Sequence, residues 1–309
     1  MAEEVIEDAG TPEMPLECRS CVLGMAVRTA REAGLSEAER DEVVRLAAEW
    51  MSDRDRGSRS SLHLGRMIAD KVVEISRLPR DFDIYREPKR MSNRLAQAHV
   101  ERLHQAIASE EDPLAMAIRV AAAGNVIDFG AKDHAAMDIE GELRAVTEQR
   151  FERLDLEQFR QRLMRANSLL YICDNAGEIV FDTLLMEVLR RLRPELEIRA
   201  AFRAAPILND ATVDDARSVG MDAFADVVSS GSRLAGSILA ECSSDFRSWF
   251  GSSDLVLSKG QGNLAGLMVD ADERVFFLLR TKCAPAARRS GTSQGNLQLI
   301  QGTRLPRRS

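Results

Sequence analysis

The chain has 309 residues, a hydrophobic share of 45% and a formal net charge of −7, enough for a sizeable core in one large domain or two modest ones. The acidic balance and an aromatic share of only 5% exclude the electrostatic footprint and the stacking platform of a nucleic-acid binder. No apolar run approaches the roughly 18–20 residues of a membrane span.

Met1 to Thr11 is acidic without an apolar centre, which argues against a secretory signal and for a cytoplasmic protein. Cys18, Cys21, Cys173, Cys242 and Cys283 are odd in number and scattered, as in a reducing compartment. Glu17 to Ala33 reads as a helix stopped by Gly34. Ser36 and Glu39 have capping-box spacing and open a second helix through Trp50. Met51 to Ser61 reads as a loop, and a third helix runs from Leu62 to Ile75. Pro79 to Lys89, with two prolines, is an irregular connector. Leu95–Ser109 and Asp112–Ala123 continue the helical pattern, with Pro113 in a first turn. Gly124-Asn125 interrupts that pattern and Phe129-Gly130 closes it.

The second half changes character. Ser168–Cys173 is a short apolar run that ends in Asp174-Asn175-Ala176-Gly177, followed by a helix over Glu178–Arg191 with Pro194 beyond it. Glu197–Leu208 ends in Asn209-Asp210 and precedes a helix over Val213–Val219. Ala223–Val228, Asp254–Ser258 and Val275–Arg280 are further short apolar runs. Strands alternating with helices predict an α/β fold, a parallel sheet covered by helices on both faces, after an N-terminal part that reads as helical. The expected divisions are 1–150 for the helical part, 151–303 for the α/β part and 304–309 for a basic, solvated tail. In such sheets ligands bind beyond the carboxyl ends of the strands. Asp174-Asn175, Asn209-Asp210 and Lys259-Gly260 all stand there.

The oxygens of Asp174, Asn175 and Asp210 are hard donors that suit Mg²⁺, Mn²⁺ and similar ions. A plain turn at Asp174-Asn175 and a helix cap at Asp210 would explain the same residues. Gly177 before a helix can bring backbone N–H groups onto an anion, or can simply turn the chain. Glu178 can orient a water or act as an ordinary acidic first-turn residue. Lys259 beside Gly260 can neutralise a phosphate oxygen. Gly260, Gly262 and Gly266 form a loose GxGxxxG that departs from the dinucleotide fingerprint. Cys18-x-x-Cys21 is half of a zinc site without a second pair; two buried structural thiols are the simpler reading.

Taken together, these segments resemble the damage-control phosphatase family, long called domain of unknown function 89. The matching stretches are Ala123–Gly130, Cys173–Glu178 with Phe181-Asp182, Pro206–Thr212 with Asp215-Ala216, Ser258–Asn263, and Lys282-Cys283-Ala284-Pro285. Their order is the family's, and Glu17–Cys21 places the chain near its prokaryotic CxxC subgroup. The fold that this resemblance implies is a three-layer α/β/α Rossmann-like parallel sheet with an N-terminal helical subdomain. The resemblance implies a divalent ion (Mn, Ni, Co or Mg) on Asp174, Asn175 and Asp210. It also implies hydrolysis of small phosphorylated metabolites, harmful or damaged ones included. Asp174, Glu178 and Lys259 become the expected catalytic residues. Asn125, Asp128, Asn209, Lys259 and Gly260 become the expected substrate contacts, with the amides at the start of the Glu178 helix assisting. Leu264 and Ala265 replace an aromatic and a Glu common in relatives, which bears on substrate choice. Two rivals stand beside this reading: an S-adenosylmethionine-dependent carboxyl methyltransferase using the glycines at 260, 262 and 266, and a non-enzymatic metal or redox module using Cys18 and Cys21. Oligomeric state is not written in the sequence.

Overall fold

The computed structural model describes residues 14–53, 60–124 and 151–306. Contacts divide the chain into two compact units, Met1–Arg80 and Asp81–Ser309. The first holds α1 (Leu16–Glu32), α2 (Glu37–Ser52) and α3 (Ser61–Ile75). The expected capping box is formed: Ser36 N donates to Glu39 Oε2 at 2.8 Å, and Glu39 N donates to Ser36 Oγ at 3.5 Å. Small residues let the three helices close up, with Ala26, Ala30 and Ala47 packed among Val22, Val43, Leu64 and Ile68. Cys18 is half-buried and Cys21 exposed, so the expectation of two buried thiols is not met.

The second unit opens with α4 (Arg86–Gln97), α5 (Val100–Ser109) and α6 (Pro113–Gly124). It continues with β1 (Phe151–Leu154), α7 (Leu156–Leu163), β2 (Ser168–Ile172), α8 (Glu178–Leu192) and β3 (Glu197–Phe202). Then come α9 (Val213–Ser218), β4 (Asp226–Ser229), α10 (Ser244–Ser252), β5 (Leu255–Lys259) and α11 (Gly260–Leu267). β6 (Val275–Arg280), α12 (Ala284–Ser290) and β7 (Leu297–Gln301) complete it.

The division differs from the one the composition suggests. Residue 150 lies outside the described residues, and the contacts part at Arg80 and Asp81 instead. The reason is packing: α4, α5 and α6 all lie against α8, so these helices belong with the sheet. α4 also starts well before the helix expected from Leu95. Pro88 falls in its first turn, where a missing N–H costs nothing. The basic tail departs from expectation at its start, because Arg304 Nη1 pairs with Asp155 Oδ1 at 2.5 Å and its carbonyl accepts from Arg153.

The sheet has seven strands in the order β1-β7-β6-β5-β2-β3-β4. β6, β5, β2, β3 and β4 run parallel, but β7 is antiparallel to β6, and β1 pairs parallel with β7. The α/β expectation therefore holds with two strands reversed at one edge. The chain folds back there through the short α12, which ends at Gly291 in the left-handed region (φ 66°). Helices cover both faces. Leu169, Tyr171, Leu255, Leu257, Phe276 and Leu278 point to the side of α4 to α9. Their neighbours Leu170, Ile172, Val256, Phe277 and Leu279 point to α10 and α11. Runs buried on both sides are what near-continuous hydrophobic strands require. Among the described residues no helix is long and apolar enough to cross a membrane.

Phe159 of α7 meets Phe276 of β6 edge to face, with ring centroids 5.3 Å apart and both side chains fully buried. Phe159→Ala is expected to cost about 3–5 kcal/mol of unfolding free energy, read as a lower urea midpoint at unchanged slope.

Candidate active site

From β2 the chain winds outward through β3 to β4, then crosses back to lay β5 on the other side of β2. The carboxyl ends of β2 and β5 thus flank a topological switch point, where open α/β sheets place their ligands. Asp174 and Asn175 follow β2, and Lys259 closes β5. The turns after β2 and β3 are stitched by their backbones. Ala176 N donates to Asn209 O at 2.9 Å, and Ala211 N donates to Asp174 O at 2.8 Å. This stitch, recorded as an Asn175–Asp210 bridge, brings the three expected metal residues together. Leu208, a non-glycine residue at φ 48°, turns the chain into it.

Side chains form a continuous buried chain behind that stitch. Asn175 Nδ2 donates to Asp174 Oδ2 at 3.0 Å and to Glu178 Oε1 at 2.8 Å. That assignment leaves Asn175 Oδ1 as the amide oxygen able to face a cation. Arg203 Nε donates to Asp210 Oδ2 at 2.7 Å, and its Nη2 lies 3.5 Å from Asp174 Oδ1. Lys259 Nζ donates to Asp182 Oδ1 at 2.6 Å and stands 3.7 Å from Glu178 Oε2. Asp174, Glu178, Asp182 and Asp210 are all buried, and so are Arg203 and Lys259. Four carboxyls thus face two cations, an excess of two negative charges when all are ionised.

The electrostatics follow from burial. Asp174 is held well above the usual carboxylate range by burial and then by the nearby charges of Glu178 and Asp210, against Arg203 and Lys282. Burial also raises Asp210, opposed by its bond to Arg203. Asp182 is raised by burial too, with Lys259 and Tyr171 opposing. Burial pulls the Lys259 ammonium down, but Asp182 and Glu178 outweigh it and leave it above its ordinary value. An acidic cluster this short of positive charge suits a divalent cation. Among the described residues no three His, Cys, Asp or Glu side chains form a ready metal cage; the expected donors, Asp174, Asn175 and Asp210, are two carboxylates and one amide. Such oxygens fit a hard ion.

Some expectations come together differently. The amides at the start of α8 are not free for an anion: Ala176 N is taken by Asn209 O, and Gly177 N donates to Asn93 Oδ1 at 2.6 Å. Lys259 lies wholly inside, bonded to acids. Asn209 contributes its carbonyl to the stitch. Asn125 and Asp128 lie outside the described residues. Gly260, at φ 77°, passes so close to Asp174 that any Cβ would overlap the carboxylate. Cβ atoms at Gly262 and Gly266 would overlap the carbonyls of Ala235 and Ser237. The glycine run is therefore used in backbone packing, which removes the only candidate pocket for the methyltransferase reading.

Sequence reasoning missed Arg203, which reads as one more residue after a strand. It also gave no role to Lys282, just beyond β6. Lys282 is near enough to Asp174 to lower its pKa, and among the described residues its ammonium has no hydrogen-bond or ion-pair partner. The signal for it was its place at a strand end beside β5.

The chain has relatives along nearly its whole length. A family model described as the damage-control phosphatase ARMT1-like domain matches residues 14–297. An uncharacterised protein of Methanocaldococcus jannaschii is 31% identical over 298 residues, 92% of this chain and 94% of that protein. A damage-control phosphatase of Archaeoglobus fulgidus is 30% identical over 287 residues, 91% of this chain and 96% of that protein. The crystal structure of a DUF89 family protein from Pyrococcus horikoshii matches with a TM-score of 0.82 at 28% identity, over 94% of this chain and 99% of that one. With fold and near-full-length similarity in accord, the chain belongs to the damage-control phosphatase ARMT1-like domain family.

Proposed function

We propose that this chain is a metal-dependent phosphomonoester hydrolase acting on small phosphorylated metabolites, damaged ones included. The observation that carries the reading is the buried acidic cluster at the switch point, in which four carboxyls meet only two buried bases. Asp174, Asn175 and Asp210 would hold a divalent ion; Mn²⁺, Ni²⁺, Co²⁺ and Mg²⁺ all accept such donors. When bound, the ion supplies charge that polarises a phosphoryl group and acidifies water.

The protein's own residues do the rest. Arg203, clamped between Asp174 and Asp210, fixes the direction in which both carboxylates point. Glu178 stands beside Asn175 and orients the attacking water, taking its proton as the phosphorus–oxygen bond to the leaving group breaks. Lys282 reaches a phosphate oxygen and offsets its charge. Lys259 acts from inside, through Glu178, and Gly260 keeps the backbone low enough for Asp174 to sit where it does.

Phosphate release from an aryl phosphate by metal-stripped protein, with each ion added back, tests the reading. Asp210→Ala is expected to lower release at least about a hundredfold. Release that needs no ion, or that survives this substitution, would contradict it. Lys282→Met is expected to raise KM about tenfold with a smaller change in kcat; an unchanged KM would remove Lys282 from the phosphate.

Protons and the ion compete for the same oxygens. Asp174 and Asp210 have raised folded-state pKa values. Their contribution to stability is therefore full below the unfolded carboxylate value of about 3.9 and is lost as pH rises through the folded values. Relative to Asp210→Asn, the metal-free protein should lose Tm as pH rises above the ordinary carboxylate range. Mn²⁺ should raise Tm more at the higher pH. Parallel Tm curves for the two proteins, with and without Mn²⁺, would count against metal binding at Asp210.

A further inference from the structure

Asp182 is none of the residues that would hold the ion or touch phosphate, yet it is a wholly buried carboxyl. Such burial is costly unless the group is paired and hydrogen-bonded. Its Oδ1 accepts two hydrogen bonds, from Lys259 Nζ at 2.6 Å and from Tyr171 Oη at 2.7 Å. Among the described residues its Oδ2 has no hydrogen-bond partner. Tyr171 lies on β2 and Lys259 ends β5, so the carboxyl of α8 ties together the two strands that flank the switch point.

Asp182 lies one helical turn beyond Glu178 on α8, and residues so spaced share a face. Two carboxylates there repel each other. Lys259 Nζ stands between them, bonded to Asp182 and 3.7 Å from Glu178 Oε2. Glu178 Oε1 meanwhile accepts from Asn175 Nδ2 at 2.8 Å. Both oxygens of Glu178 are thus directed, one by the amide of an expected metal residue and one by an ammonium that Asp182 holds back. With Asp182 neutral, the ammonium is free to close fully on Glu178 and draw it away from Asn175.

We propose that Asp182 is a positioning residue. With Tyr171 it fixes Lys259, and through Lys259 it aims Glu178 for the hydrolytic step. The inference rests on the phosphatase reading of the same site. A purely architectural role, pinning α8 to β5, would make Asp182 and Lys259 matter for folding and leave the turnover of folded protein alone.

The test is a double-substitution cycle in the full chain loaded with Mn²⁺, using Asp182→Asn, Lys259→Met and both together. It reads kcat and KM on an aryl phosphate, Mn²⁺ affinity by calorimetry, and thermal melts. Each single substitution is expected to lower kcat about 10–100-fold, with KM and Mn²⁺ affinity little changed. The double variant should be no worse than the worse single, because the pair acts as one unit. Losses that multiply, or that fall on KM or Mn²⁺ affinity with kcat kept, would overturn the proposal. If Asp182→Asn melts without cooperativity, Tyr171→Phe takes its place, removing one hydrogen bond and no charge. A drop in kcat of about threefold to tenfold in a cooperatively melting Tyr171→Phe supports the role; an unchanged kcat overturns it. Wild-type protein that releases no phosphate with any ion would overturn the phosphatase reading and the positioning role with it. An active wild type with a multiplying cycle overturns the positioning role alone.

Discussion

The described site depends on one constraint: four carboxyls have been taken out of water with only two cations to meet them. Charges so placed need partners of defined geometry or they protonate. Arg203 answers for Asp174 and Asp210, and Lys259 for Glu178 and Asp182. Arg203 spans acids from the turns after β2 and β3, and Lys259, at the end of β5, meets two acids of α8, so the charge pattern also ties the ends of β2, β3 and β5 to one another. The cluster still carries more acids than buried bases. That imbalance is what the proposed hard ion would offset.

Much of this was legible in the chain. The apolar runs before Asp174, before Asn209-Asp210 and before Lys259 read as strands, and polar residues at the ends of parallel strands converge by topology. What alternation cannot convey is the reversal at the sheet edge. β1 is a four-residue strand that buries every other side chain only in part, and β7 carries a buried Gln298 bonded to Thr281 and Ser290. Neither looks like a core strand. The helices α4 to α6 likewise read as a separate helical part, because an amphipathic helix does not say which surface it will cover; here it is α8.

The partners of the site were less visible than its acids. A buried Arg or Lys reads in sequence like any surface base, since only the fold decides which ones lie inside. Arg203 and Lys89 are both fully buried, the latter between Asp83 at 2.7 Å and Asp215 at 2.5 Å. Asn93, which satisfies the Gly177 amide from a helix far away in sequence, gave no local sign. That bond occupies the Gly177 amide, so an anion at the start of α8 would have to displace it; the proposed phosphate contact is accordingly assigned to Lys282.

Gly260 has a consequence of a different kind. Most of the site is set by attraction between charges, and attraction weakens as salt screens it. The fit of the Asp174 carboxylate beside Gly260 is bounded by exclusion: a Cβ at 260 would overlap Asp174 Oδ2, so only a glycine leaves room for it. Exclusion has no Debye length. The space Asp174 occupies at the end of β5 is therefore bounded on that side by a hard wall, and this bound is indifferent to ionic strength.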